Sequence, residues 1–161
     1  MFFSYFTAKA SEIKINSIIT LDKNIPKECG LNFFNKKKKF NLKVSIKKKK
    51  YGTTTSFYGN SNFKIKNSNI LSNSTNIIEL IGKKEFKKKE FSFDGKTDMN
   101  KTTMFFQELL ISGGIIKINN LEYQIIGPID SKVRLEYLFC TGEMFLPNYE
   151  KKNEKNYKKT N

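Results

Sequence analysis

The chain has no histidine and no tryptophan, and only two cysteines, three prolines and a single arginine, Arg134, among 161 residues. Without histidine there is no Ser-His-Asp triad, no histidine zinc site and no imidazole pH switch. Cys29 and Cys140 lie far apart with no C-x-x-C spacing, so neither a disulfide framework nor a zinc ribbon is read from them, and a reducing compartment such as the nucleus or cytosol is expected. Apolar runs are short, and none approaches the roughly 20 residues of a membrane span. The opening Met1-Phe2-Phe3-Ser4-Tyr5-Phe6 lacks the basic n-region and long apolar h-region of a signal peptide. A soluble, non-secreted protein with no membrane partner is therefore expected.

Positive charge is what the chain has in excess. Thirty Lys+Arg face fifteen Asp+Glu, for a formal charge of +15 and a pI near 9.7, so acidic partners are favoured. Nearly all of that charge is lysine. The chain is also crowded with Asn, Ile, Phe and Tyr, so A/T-rich coding is a competing explanation for the lysines, since selection for bidentate phosphate forks would have used more arginine. The length corresponds to one domain, and a chain of this size buries roughly 68 to 70% of its unfolded surface, enough for a core at 38% apolar residues.

Periodicity places the elements. Phe40-Asn41-Leu42-Lys43-Val44-Ser45-Ile46 alternates strictly, the pattern of a half-buried strand. Thr53 to Phe57 and Phe63 to Lys66 read as a second strand bulged at Gly59 to Asn62, Asn67 to Asn76 as a loop, and Ile77 to Ile81 as a third strand. Met104, Phe105, Leu109 and Ile111 recur at helical spacing, with Asn100 or Thr102 as cap and Gly113-Gly114 as stop, which predicts a helix of about three turns. Ile115 to Ile126 turns at Asn119-Asn120 and stops at Gly127-Pro128. Val133, Leu135, Tyr137 and Phe139 alternate with Arg134 and Glu136, predicting a last strand. Leu138 and Cys140 make its upper part apolar on both faces, so something must cover it. A helix is expected to start near Pro147.

This order predicts an all-β fold, a five-stranded OB barrel with a short helix between strands 3 and 4 and a C-terminal helix. Residues 36–147 form the barrel, residues 1–35 an N-terminal arm or extra strand, and residues 148–161 the helix or tail.

The segments Asn120 to Pro128 and Lys132 to Pro147 resemble the last two strands and the start of the terminal helix in the smallest OB-fold subunit of the CST telomere-capping complex. Within them lie the hydrophobic-then-Gly ending of Tyr123-Gln124-Ile125-Ile126-Gly127, the Val133 to Cys140 spacing, and Gly142, Met144 and Leu146-Pro147. The resemblance covers about 30 residues. It implies a nuclear, telomere-associated subunit that pairs with a second OB-fold protein, the middle subunit, beside a large third subunit on single-stranded telomeric DNA. Association with telomerase or with polymerase alpha-primase is implied by the family alone. The family's pairing surface corresponds to Leu138, Met144, Phe145, Leu146, Tyr149 and Tyr157 here.

For single-stranded nucleic acid the chemistry is a basic groove with aromatic stacking faces, each stacked base contributing about 1 to 3 kcal/mol. Lys36, Lys37, Lys38 and Lys39, then Lys47, Lys48, Lys49, Lys50 and Tyr51 with Tyr58, supply both. The competing reading is a set of solvated lysines that guard a strand edge. Lys83-Lys84 and Lys87-Lys88-Lys89 form a further basic stretch. Asp94, Asp98, Glu108 and the cysteines make no dyad, metal box or activated nucleophile, and no glycine-rich loop precedes a helix, so neither an enzyme nor a cofactor or metal is expected. Two alternatives stand beside the telomeric reading: an RNA-binding or ribosome-associated basic protein, and the small subunit of a replication protein A-like trimer.

Overall fold

The computed structural model describes residues 13–50, 52–61, 63, 65, 67–72, 77–81, 89–94 and 96–146. Nine strands and two helices follow one another as β1 (Lys14–Asp22), β2 (Ile25–Asn35), β3 (Phe40–Lys49), β4 (Gly52–Ser61), β5 (Asn67–Ser72), β6 (Ile77–Ile81), β7 (Lys89–Asp94), α1 (Lys96–Ser112), β8 (Gly113–Ile118), β9 (Leu121–Ile126) and α2 (Ser131–Met144). All pairings are antiparallel, in a five-stranded sheet of order β1-β2-β3-β4-β7 and a four-stranded sheet of order β6-β5-β8-β9.

The five-stranded sheet grows by short connections that its sequence specifies. Lys23 and Asn24 both take positive φ in the two-residue β1–β2 turn, the conformation that matches the twist of a hairpin. The β2–β3 connection is the four-lysine run 36–39, where Asn35 Oδ1 accepts from the Lys38 N–H at 2.9 Å and Lys39 takes positive φ. Gly30 faces Ser45 across the ladder, and a Cβ at Gly30 would lie 2.2 Å from the Val44 carbonyl oxygen, so this position accepts only glycine.

One face of this sheet is the core. Register and alternation put Cys29, Leu31 and Phe33 of β2 beside Phe40, Leu42, Val44 and Ile46 of β3, all essentially solvent-free. α2 covers β1 and β2, whereas α1 packs on β4, β5 and β8. Thr55 and Thr102 share a buried hydrogen bond of 3.1 Å that ties β4 to α1. Phe40 meets Tyr123 of β9 at 5.0 Å between ring centroids, so the two sheets contribute to one core cluster. α1 ends as expected at Gly113, whose φ of +74° is the left-handed cap that glycine adopts without steric cost.

Several expectations are corrected. The expected five strands are nine, and among the described residues the sheets keep their edges and no closed barrel forms. Residues 14–35, expected as an arm or one extra strand, are two full strands. Asn67 to Ser72, expected as loop, is β5, the strand paired between β6 and β8, with Ile70 fully buried; its pairing on both sides outweighs its Asn and Ser content. The helix expected from residue 100 or 102 begins at Lys96 and runs 17 residues.

The largest correction concerns residues 131–144, which are α2 and not a strand followed by a helix at Pro147. Asp130 accepts from the backbone N–H groups of Lys132 and Val133 at 2.9 and 3.4 Å, an N-cap. Val133, Tyr137, Cys140 and Met144 then fall on one helical face and are its buried residues. The alternation of 133, 135, 137 and 139 coexists with this pattern because the segment is apolar on both sides.

The cysteines, expected to stay apart, are joined: Cys29 of β2 and Cys140 of α2 form a disulfide with a Cα–Cα distance of 5.8 Å across a sequence separation of 111. Disulfides persist in oxidising compartments and are rare in nuclear and cytosolic proteins. Closing so long a loop removes much unfolded-chain entropy. The double variant Cys29→Ser, Cys140→Ser is expected to lose about 4 to 5 kcal/mol of stability in urea unfolding under non-reducing conditions; a loss below about 1 kcal/mol would show that α2 does not depend on the tether.

Candidate functional site

α2 is held on the sheet at both ends and in the middle. Its first turn carries the Asp130 cap, Glu136 accepts a hydrogen bond from the Ser17 hydroxyl of β1, and Cys140 is bonded to β2. Its last turn contains no basic residue of its own, but Lys48 of β3 donates to the Met144 carbonyl oxygen at 2.8 Å, placing a cation at the negative end of the helix dipole. Phe106 of α1 stacks on Tyr137 at 4.9 Å. Burial pushes the Tyr137 phenol far above its ordinary pKa, so it stays protonated.

The opposite side of α2 is also apolar and nothing in the chain's described residues covers it. Leu135, Leu138, Phe139, Phe145 and Leu146 are between 47% and 69% exposed, with Ile111 of α1 beside them at 64%. Leu135, Leu138 and Phe139 follow helical spacing, and Phe145 and Leu146 continue the face at the C-cap. Scattered apolar residues are normal on a surface, but a continuous stripe along one helix marks a place where another surface sits.

The residues expected to meet a partner divide accordingly. Leu138, Phe145 and Leu146 are on the exposed face, as a docking role requires. Met144 is fully buried beneath α2, a correction that follows from the helix: it completes the inward series begun at Val133. Tyr149 and Tyr157 lie outside the described residues. Leu135 and Phe139 were missed, because the strand reading turned them inward; the signal for them is Asp130 as an N-cap followed by Val133, Tyr137, Cys140 and Met144.

The lysines expected to meet nucleic acid fall into two groups that the structure separates. Lys36, Lys37, Lys38 and Lys39 form the exposed β2–β3 turn, and Lys47 to Lys50 lie at the other end of β3. Nine residue steps along the strand put roughly 30 Å between the ends. Lys36–Lys39 therefore do not extend a groove centred on Lys47–Lys50. Lys47 and Lys48 are also engaged, Lys47 by Glu28 at 3.8 Å and Lys48 by α2, which leaves Lys49 and Lys50 exposed at that end. Lys47 and Lys49 fall on the sheet face away from α2, together with Lys43, which is opposite Tyr58 in the ladder. Tyr51 is outside the described residues, as are Lys83, Lys84, Lys87 and Lys88.

Of the acids weighed for catalysis, Glu108 accepts from the Ser72 hydroxyl at 2.9 Å. No cluster of metal-binding side chains occurs among the described residues, and no described helix is long and apolar enough to cross a membrane. No family model, curated protein or solved structure matches the chain.

The two-sided character of α2 gives a direct test. Tyr137→Ala is expected to cost about 3 kcal/mol or more, as for a buried aromatic, whereas Phe139→Ala stays within about 0.5 kcal/mol, as for a surface position. Equal costs in chemical denaturation would restore the strand reading, in which both residues face inward.

Proposed function

We propose that the chain is a non-enzymatic subunit of a protein assembly, joined to its partner by the outer face of α2 and contributing a basic surface for single-stranded nucleic acid. The observation that carries the reading is the apolar stripe of Leu135, Leu138, Phe139, Phe145 and Leu146 on a helix whose other face is already buried. An amphipathic helix needs one apolar face to fold; a second is not required for folding and exposes area that a partner can remove from water. Helix-in-groove docking uses anchors at this spacing.

The resemblance of residues 120–147 to the smallest CST subunit gives the proposal its specific form: a nuclear, telomere-associated protein that binds the middle OB-fold subunit and, with a large third subunit, single-stranded telomeric DNA. Three features support it. A helix precedes the last strand pair, a helix follows that pair, and the helix carries the exposed Leu138, Phe145 and Leu146. The OB-barrel part of the proposal needs the sheet edges at β1, β7, β6 and β9 to close on one another. Residues 133–139 belong to α2, so the matched segment supports the pairing surface and not a fifth barrel strand. In a reducing nucleus Cys29 and Cys140 would stand as a buried thiol pair.

Lysines supply the second part of the function. The exposed turn at residues 36–39 presents four cations on a tight hairpin, and the net charge of +15 draws polyanions from a distance. Phosphate binding of this kind is strongly salt-dependent and carries little base preference.

Co-expression with the middle subunit followed by size-exclusion chromatography is expected to give one complex at micromolar concentration, lost in the Leu138→Glu, Phe139→Glu double variant. Two separate peaks with the unaltered chain would reject the proposal. In filter binding to single-stranded DNA, replacing Lys36–Lys39 by alanine is expected to flatten the log K against log salt slope by about 0.7 for each phosphate contact removed; an unchanged slope would exclude the turn from the interface.

A further inference from the structure

Where α1 and α2 diverge they leave a groove of 340 Å³ lined by Leu110 and Ile111 of α1 and by Leu135 and Leu138 of α2, with Gln107 and Ser131 at its polar margins. Arg134, the only arginine in the chain, lines it as well. The Arg134 Nε is shut away from solvent and has no hydrogen-bond partner. No acidic residue lines the groove, and among the described residues the guanidinium has no ion-pair partner. The Nε is closed to a ligand oxygen as it is to water, so an anion in the groove meets the guanidinium at its other nitrogens; what points to an anion is a permanent charge lining an apolar groove with no acid beside it.

The geometry points to a binding site for a small amphipathic carboxylate, an aliphatic chain in the groove with its carboxylate on Arg134. The aliphatic walls remove the chain from water, while the planar guanidinium fork fits a carboxylate bidentately and is the most weakly hydrated of the protein cations. The volume lies at the small end of ligand sites, which suits a single unbranched chain over a larger ring system. The overall positive charge raises the local concentration of any anion, and Arg134 then selects one with an apolar tail. The site shares Ile111, Leu135 and Leu138 with the docking face and adds Leu110 and Arg134, whereas the docking stripe alone continues to Phe139, Phe145 and Leu146.

Decanoate is the probe, titrated below its micelle-forming concentration into the full chain and followed by calorimetry and by amide NMR shifts. Binding is expected with a dissociation constant on the order of 0.1 mM, with shifts at Leu110, Ile111, Arg134 and Leu138. Decanol, the uncharged counterpart, is expected to bind at least about tenfold more weakly, and Arg134→Gln to weaken decanoate by at least about tenfold. Leu138→Trp, which fills the groove without altering the charge, is expected to block both ligands, and this variant together with the decanoate–decanol comparison decides the matter even if Arg134→Gln fails to fold. Decanol binding as well as decanoate, undiminished binding to Arg134→Gln or Leu138→Trp, shifts confined to other parts of the chain, or no binding in the millimolar range would each overturn the proposal. These readouts use the isolated chain, so they fail or succeed independently of partner assembly.

Discussion

The seating of α2 on the β1–β2 hairpin is the constraint on which the rest depends. Without it, Cys29, Leu31 and Phe33 would face water along the sheet. Burial of those side chains supplies a non-directional attraction, so the helix needs fixed points to choose one position. The Asp130 cap sets where it starts, the Cys29–Cys140 bond fixes its depth and rotation, and Lys48 holds its last carbonyls. Rotating α2 by half a turn would expose Tyr137 and bury Phe139, breaking the stack with Phe106 at the same time.

The proposed functions are consequences of that placement. A helix pinned this firmly presents its outer residues on a rigid support, which lowers the ordering cost a partner must overcome. The Arg134 groove lies between two helices that the hydrogen bond from the Ile129 N–H to the Leu110 carbonyl at 2.9 Å and the Phe106–Tyr137 stack hold together, with α1 tied to β4 through Thr102. Lysines cluster at the ends of β3, whereas the outer face of α2 presents Leu135, Leu138 and Phe139.

What could be read in the chain beforehand follows from where local and tertiary signals agree. β3 is legible because one face meets the core and the other meets solvent, so burial itself writes the alternation. The stop of α1 at Gly113-Gly114 and the turn at Asn119-Asn120 are legible because a backbone with positive φ restricts residue type at Gly113 and Asn119. β5 is not legible, since its place between two strands satisfies its backbone whatever its side chains, and Asn and Ser are tolerated there. α2 misled because Val133, Leu135, Tyr137 and Phe139 satisfy a period of 2 while Val133, Tyr137, Cys140 and Met144 satisfy one of 3.6; the cap at Asp130 distinguishes them. The pairing of the cysteines is invisible at a separation of 111, because it depends on a helix reaching back across the whole fold. Of the candidate site, Leu138, Phe145 and Leu146 were expected through the resemblance of residues 120–147, while Leu135 and Phe139 required the correct period.

The disulfide sits at the tenth position of a fourteen-residue helix, one turn from its end. A lever fastened near one end moves most at the other. The covalent anchor and the Lys48 contact hold the final turn, whereas the opening turns are held without a covalent tie, by the exposed cap, the Ser17–Glu136 hydrogen bond and the burial of Val133 and Tyr137. Local opening of such a helix is expected to begin at its Asp130 end, beside Arg134, because the bond at Cys140 keeps the Phe145–Leu146 end in place.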